Sequence, residues 1–325
     1  MDLGIVVVNY KTASLTIACL ESLELECSKG NYSVIVIDNN SLDDSFSLIE
    51  SAIYEHGWSA WAKVIAAELN GGFSYGNNIA IRHYFASNDP PEFICLLNPD
   101  TYIRTGAMYE LVRFMHDNPK VGICGSRLES PDGTGQLSSF KFHSWISELN
   151  RGFGFGLLTR LLTRWVTSTQ IPENAVKTDW VSGASMMIRS TVFENIGLLD
   201  ESYFMYYEET DFCFNAALSG WDCWYVPSSK VVHLVGQSSG ITGKSTARRM
   251  PEYWFNSRRR YFLKNNGIIY AVLADFCWLV GLSTWKLRNL IQRKSDNSPP
   301  FFLRDGVRNS IFFKGFRMLE TKNDL

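Results

Sequence analysis

Three carboxylates fall within four positions in the stretch FMYYEETDF, at Glu208, Glu209 and Asp211, and aromatic residues crowd them: Phe204, Tyr206, Tyr207, Phe212 and Phe214. Acids this close repel one another, and apolar surroundings penalise their charge. A carboxylate here can therefore be tuned as a general base. The plain alternative is a solvated acidic helix start, because acids favour a helix N-terminus. Another acid, Asp100, follows a proline at the end of the apolar run Phe93-Ile94-Cys95-Leu96-Leu97. Pro99 fixes its own φ and restricts Asn98, so Asp100 leaves the run in a set direction. His233 stands alone in the apolar segment VVHLVG. Such a histidine is ordinarily a satisfied core residue, and it becomes a metal-ligand candidate only if the fold carries it to Asp100.

These residues need a frame, and the first 126 residues supply one. Strand-like runs at 4–10, 33–41, 62–68, 93–97 and 121–126 alternate with segments of helical spacing at 14–25, after 41, after 72 and at 105–116. Strands that are apolar on both faces, alternating with helices, argue a mixed, mostly parallel sheet covered on both sides. Ser41 with Asp44 has the look of a capping pair. Further on, strand-like sequence is expected at 179–190, 221–227 and 230–236, with a helix starting in the acidic stretch and another near Pro251.

In open α/β sheets, ligands sit at the carboxyl ends of strands. Those ends read Asn9-Tyr10-Lys11, Asp38-Asn39-Asn40, Asn70-Gly71-Gly72-Phe73 and Asn98-Pro99-Asp100. One Asp after a strand is usually a helix cap, but four polar or small ends in series point to a ligand crevice. Asp38 is placed to accept hydrogen bonds from a base or ribose. The loop Asn70 to Asn78, with Gly72, Phe73 and Asn77, is either a tight turn or a phosphate-facing helix entry. It matches neither GxGxxG nor GxxxxGK[ST], which argues against a dinucleotide or P-loop site.

Composition is that of a globular protein, with 46% hydrophobic and 20% charged residues. Seven scattered cysteines without a CxxC are expected to be reduced and structural. The opening MDLGIVVVNY enters strand-like sequence at once, so no leader is expected. The net charge of −2 conceals an asymmetry: from Lys244 onward there are 16 Lys and Arg against 6 Asp and Glu, and before it 15 against 27. The basic last quarter suits an anionic surface: membrane headgroups, a pyrophosphate-bearing lipid or nucleic acid. Its most apolar segment, Gly267 to Leu282, is shorter than the about 20 residues that span a bilayer and carries Asp275. A helix lying on a membrane or packed on the main domain is expected there. Residues 139–178 read as a mobile insertion on the acceptor side.

In order, "VVVNYKT", "VIDNNSLDDS", "NGGFSYGNN", "LLNPDTYI", "WVSGASMMIRSTVFENIGLLDESYFMYYEETDFC" and "VVHLVGQSSG" resemble the inverting glycosyltransferases of family 2, and most closely the rhamnosyltransferase-like branch of bacterial surface-polysaccharide synthesis. The resemblance covers about residues 3–265. It implies a GT-A fold in 1–250, followed by a basic helical extension in 251–325. It implies a divalent metal (Mg²⁺ or Mn²⁺) on Asp100 and His233, with Asn98 beside it. Asn9, Tyr10, Asp38 and Asn70 would hold the nucleoside, and Trp180, Gly183 and Ala184 would line the donor-sugar and acceptor side. The family's acidic pair normally ends in Asp; here it is Glu208-Glu209, with Glu209 in the base position and Glu208 as the alternative. Asp211 would support the loop or contact the acceptor.

The implied partners are a nucleotide-sugar, dTDP-L-rhamnose before UDP-sugars, and a saccharide acceptor, free or linked to polyprenyl diphosphate. An anionic membrane surface is a further partner and nucleic acid is not, so the expected location is cytoplasmic, peripheral at the inner face of the membrane. A sugar nucleotidyltransferase would want a Gly-rich loop with Arg and Lys after the first strand, where this chain has NYKTAS. A non-catalytic binding module would need neither metal nor base residues.

Overall fold

The computed structural model describes residues 1–153, 167, 170–234, 248–293 and 298–318. Strands β1 (Leu3–Asn9), β2 (Tyr32–Asp38), β3 (Ala62–Ala66) and β4 (Phe93–Leu97) alternate with helices α1 (Ala13–Cys27), α2 (Ser45–Glu55) and α3 (Gly72–Phe85). There follow β5 (Thr101–Ile103), α4 (Ala107–Asp117), β6 (Val121–Glu129), β7 (Gly135–Gln136), β8 (Ser139–Phe140) and α5 (Trp145–Phe153). Then come β9 (Val176–Thr178), β10 (Trp180–Val181), β11 (Ser185–Arg189), α6 (Ser190–Ile196), α7 (Glu208–Leu218), β12 (Asp222–His233), α8 (Glu252–Ile291), α9 (Phe302–Arg308) and α10 (Ile311–Lys314).

The main sheet runs β3-β2-β1-β4-β11-β6-β12-β5. β11 is antiparallel to both neighbours, and β5 is antiparallel to β12; the other strands on this path share one direction. The apolar central strands are covered on both faces, and their alternate residues divide between two cores. Ile5 and Val7 pack with Leu20 and Leu23 of α1 and Met108 and Leu111 of α4. Val6, Ile35 and Ile37 pack with Ala80 and Ile81 of α3 and Phe212 and Ala216 of α7. A third core, Tyr203, Tyr207, Trp254, Phe255, Tyr261, Phe262 and Trp278, joins α8 to the segment before α7.

Three details differ from the sequence reading. Segments 221–227 and 230–236 were expected as two strands, but the described part forms one strand, β12, with a register shift between Val226 and Lys230. Pro227 lies in that shift; it has no N–H for the ladder, and a bulge lets the strand continue past it. Ser41 does not cap α2. Its hydroxyl donates to Asp38 Oδ1 at 2.5 Å, and Asp43 Oδ1 accepts from Ser45 N instead. The short strand β5 has no counterpart in the sequence reading, because three residues carry no periodicity. The acceptor-side insertion has its centre, 154–166 and 168–169, outside the described residues; so do 235–247 and the end of the basic quarter.

Candidate active site

The ends of β1 and β2 lie side by side, with Asn9 opposite Asp38 in the ladder. Asn9 is fully buried. Its Nδ2 donates to Asp38 Oδ1 (2.7 Å) and Ser41 Oγ (3.3 Å), while its Oδ1 accepts from Thr12 N, Thr12 Oγ1 and Thr16 Oγ1. Every polar atom of this side chain is spent inside the protein, so Asn9 braces the rim from below. Asp38 Oδ2 accepts from Ser41 N. Tyr10 is exposed at the strand end, its ring 5.3 Å from Lys11 Nζ.

Asn70 is a loop brace as well: its Oδ1 accepts from Asn39 Nδ2 (2.9 Å) and Gly72 N (3.1 Å), and Asn39 also donates to Gly72 O. Asn77 is buried in α3 and donates to Phe73 O. Gly72 has φ +84, and a Cβ there would lie 1.9 Å from Phe204 O. Only glycine suits both that backbone and that approach. Phe73 N donates to the same carbonyl at 2.8 Å. The glycine-rich loop is thus latched to the segment that leads into the acidic pair. Asn78, which the sequence reading did not single out, adds a second latch through Leu199 and Glu201.

Asp100 is buried at the end of the β4 run. β5 starts immediately after it and pairs antiparallel with β12, setting Thr101 opposite His233. Leu234 N donates to Asp100 O, and His233 Nε2 comes to 3.6 Å from Asp100 Oδ1. A carboxylate oxygen and an imidazole nitrogen this close fit two corners of a divalent-cation site. No group of three or more His, Cys, Asp and Glu side chains with metal-holding geometry occurs among the described residues. A pair leaves the remaining corners to diphosphate oxygens and water, which fits an ion that arrives with a nucleotide.

From Asp100 the rim continues to the acids. Asn98 N donates to Ala184 O at 3.1 Å. A Cβ on the neighbouring Gly183 would lie 3.3 Å from Phe73 Cζ and 3.9 Å from Glu209 Cβ, so a bare backbone separates the glycine-rich loop from α7. Glu208 and Glu209 open α7, delivered by consecutive residues with left-handed backbone, Tyr206 and Tyr207 (both φ 70). Such strain persists only where surrounding structure holds it. Here the Tyr207 ring packs 4.9 Å from His143, 5.5 Å from Tyr261 and 6.3 Å from Trp254.

Burial, with Glu209 and Asp211 nearby, pushes the Glu208 carboxyl well above the ordinary range. Burial also raises Glu209, opposed by its own backbone N–H and that of Gly183. Neither Glu208 Oε2 nor Glu209 Oε2 has a hydrogen-bond partner among the described residues. Glu209 lines a cavity of about 420 Å³ with Phe140, His143, Arg151, Trp180 and Trp254. The Trp180 ring stacks on Phe140 at 4.3 Å, an aromatic wall of the kind that receives a sugar face.

Asp211 is not among the residues lining this cavity. Its Oδ2 accepts from Lys264 Nζ (2.7 Å) and its Oδ1 from Asn265 Nδ2 (2.7 Å) and Tyr203 OH (3.2 Å), tying α7 to α8. The positions missed from sequence, Phe140, His143, Arg151 and Trp254, come from α5, its approach and α8. No local pattern marks them, because only long-range packing brings them to Glu209.

The pattern described as glycosyl transferase family 2 matches residues 4–193. The chain is 31% identical to the low-salt glycan biosynthesis hexosyltransferase Agl10 of Haloferax volcanii, over 66% of this chain and 61% of that protein. It is 27% identical to the N-acetylglucosaminyl-diphospho-decaprenol L-rhamnosyltransferase of Mycobacterium tuberculosis, over 73% and 78%. Among solved structures it resembles GalNAc-T7 with UDP, GalNAc and Mn²⁺, with TM-score 0.59 and 14% identity, covering 95% of this chain and 57% of that one. The chain thus spans under two thirds of the length of Agl10 and of GalNAc-T7. The mixed sheet, the covering helices and this likeness are those of the GT-A fold. With more than half of its length matched by the family pattern, the chain belongs to glycosyl transferase family 2.

Proposed function

We propose that this protein transfers L-rhamnose from dTDP-L-rhamnose, with inversion, to a hydroxyl of a saccharide acceptor carried on polyprenyl diphosphate. The observation that carries the reading is the position of Glu209. It lies in an aromatic-walled cavity, across Gly183 and Phe73 from the strand-end rim that bears Asp100 and His233. Glu209 takes the proton from the acceptor hydroxyl as that oxygen attacks the anomeric carbon. Burial raises the proton affinity of both carboxyls, Glu208 the more, and a raised proton affinity suits Glu209 to accept the hydroxyl proton. A divalent cation, Mg²⁺ or Mn²⁺, held by Asp100 and His233 would offset charge on the departing diphosphate. Attack on the face opposite the leaving group inverts the centre, by analogy with inverting glycosidases.

The sugar and the acceptor rest on the rhamnosyltransferase relative, whose name specifies L-rhamnose and a diphospho-decaprenol acceptor; dTDP as the carrier rests on the resemblance in sequence. A thermal-shift screen of dTDP-rhamnose against UDP-hexoses, with and without Mn²⁺, tests the donor. Stabilisation by dTDP-rhamnose in the presence of Mn²⁺ supports the proposal; a preference for a UDP-hexose overturns the rhamnose assignment.

A further inference from the structure

Helix α8 bends at Gly267 (φ 80, ψ 173), and its second half has two unlike faces. Ala271, Ala274, Asp275, Trp278 and Leu282 are buried against the protein. The opposite face carries Ile269, Leu273, Phe276, Leu287 and Leu290, all exposed; steps of three and four residues, with three turns between Phe276 and Leu287, keep them on one helical stripe. At 1.5 Å per residue the stripe is about 30 Å long. Phe301, Phe312, Phe313 and Phe316, in and beside α9 and α10, are exposed too. Among the described residues, twelve of the twenty-one exposed large hydrophobic residues fall within 268–318, so apolar exposure is concentrated in this part of the chain.

The charge of the same region is one-sided. Among the described residues of 267–318 the bases are Lys286, Arg288, Arg293, Arg304, Arg308, Lys314 and Arg317, and the acids are Asp275 and Asp305. Both acids are buried and ion-paired, Asp275 with Arg258 and Asp305 with Arg249. The exposed Glu252 at the start of α8 pairs with Lys314 at 2.9 Å. The outward surface of 267–318 therefore combines apolar side chains with an excess of cations.

We propose that this surface docks the enzyme on an anionic lipid bilayer, with the second half of α8 lying in the interface plane. Apolar area plus cations complements acidic headgroups over acyl chains. The geometry argues against spanning: one face of the helix, Asp275 included, is packed on protein, so lipid cannot surround it. The inference deepens the proposed function by placing the enzyme where a lipid-linked acceptor would reside. Its test reads lipid binding alone, so it can fail while the transferase reading stands, and the reverse.

The experiment is co-sedimentation of the full chain with phosphatidylcholine vesicles and with vesicles containing phosphatidylglycerol. The comparison variant combines Ile269→Gln, Phe276→Gln and Leu287→Gln, exposed positions whose change leaves the core intact. The expected result is binding to the anionic vesicles, weakened by added salt and by on the order of tenfold or more in the variant, whose thermal midpoint and donor binding match wild type. Binding by the variant equal to wild type overturns the proposal, as does no binding of wild type to either vesicle. A wild-type dimer in solution that the variant abolishes, with no vesicle binding, assigns the surface to a second copy instead.

Discussion

His233 Nε2 lies 3.6 Å from Asp100 Oδ1, although the two belong to distant parts of the chain. The contact depends on the three-residue strand β5, which begins directly after Asp100 and pairs with the end of β12. The backbone pairing brings the two side chains together.

Asp100→Ala is therefore expected to abolish the Mn²⁺-dependent part of donor stabilisation in a thermal-shift titration. His233→Ala keeps one ligand and should retain part of it. Full metal-dependent stabilisation in Asp100→Ala would remove the assigned site.

Glu209→Gln keeps the shape of the cavity wall and removes the base. Turnover is expected to fall by roughly 10²- to 10⁴-fold with donor affinity unchanged. Glu208→Gln should cost far less. Because burial raises Glu209, the acidic limb of the kcat/KM profile should lie above the ordinary glutamate range of about 4.3. A limb at or below that range, or equal losses in the two variants, would count against Glu209 as the base.

Glu208 also has a stability signature. Its folded carboxyl holds a proton more tightly than the unfolded one. That contribution is fully present below the ordinary glutamate range and is lost as pH rises through the raised folded value. Glu208→Gln should thus raise Tm by about 2 °C or more at about pH 8 and converge with wild type at about pH 4. A difference independent of pH would show that Glu208 does not carry the buried proton.

Arg258 lies buried between Glu148 (2.7 Å) and Asp275, whose Oδ2 also accepts from Ile311 N at 2.6 Å. Burial opposes ionisation of Glu148, but Arg258 and His143 outweigh it and hold that carboxyl well below its usual range. Arg258→Ala strands two buried acids and is expected to cost about 3–5 kcal/mol in denaturant unfolding. It should also loosen the α5–α8 wall of the cavity, raising acceptor KM. A loss under about 1 kcal/mol would mean that water or a neighbour already satisfies the acids.

Much of the frame is legible in the residues themselves. Continuous runs such as Ile5 to Val8 and Val34 to Ile37 can be buried on both faces only inside a covered sheet, and chemistry in such sheets gathers at the strand ends. The order of motifs then suffices to identify the family. What sequence could not divide was ligand-facing from load-carrying among the polar residues of the rim. Asn9 looks like a ligand contact, yet both ends of its amide are hydrogen-bonded inside the protein, while Asn70 has its Oδ1 taken by Asn39 and Gly72. The partner of an amide is fixed by a three-dimensional neighbour that residue type does not name.

The sequence by itself determined the alternating frame, the strand-end rim and the isolated basic, aromatic quarter, because periodicity, burial preference and charge are local properties. Only the tertiary structure decided that β5 joins His233 to Asp100, that Asp211 is taken by Lys264 and Asn265, and that α8 turns one face to the acidic pair's aromatic support and another outward. Those outcomes follow from pairing and packing between segments far apart in the chain, where each contact depends on all the others being made.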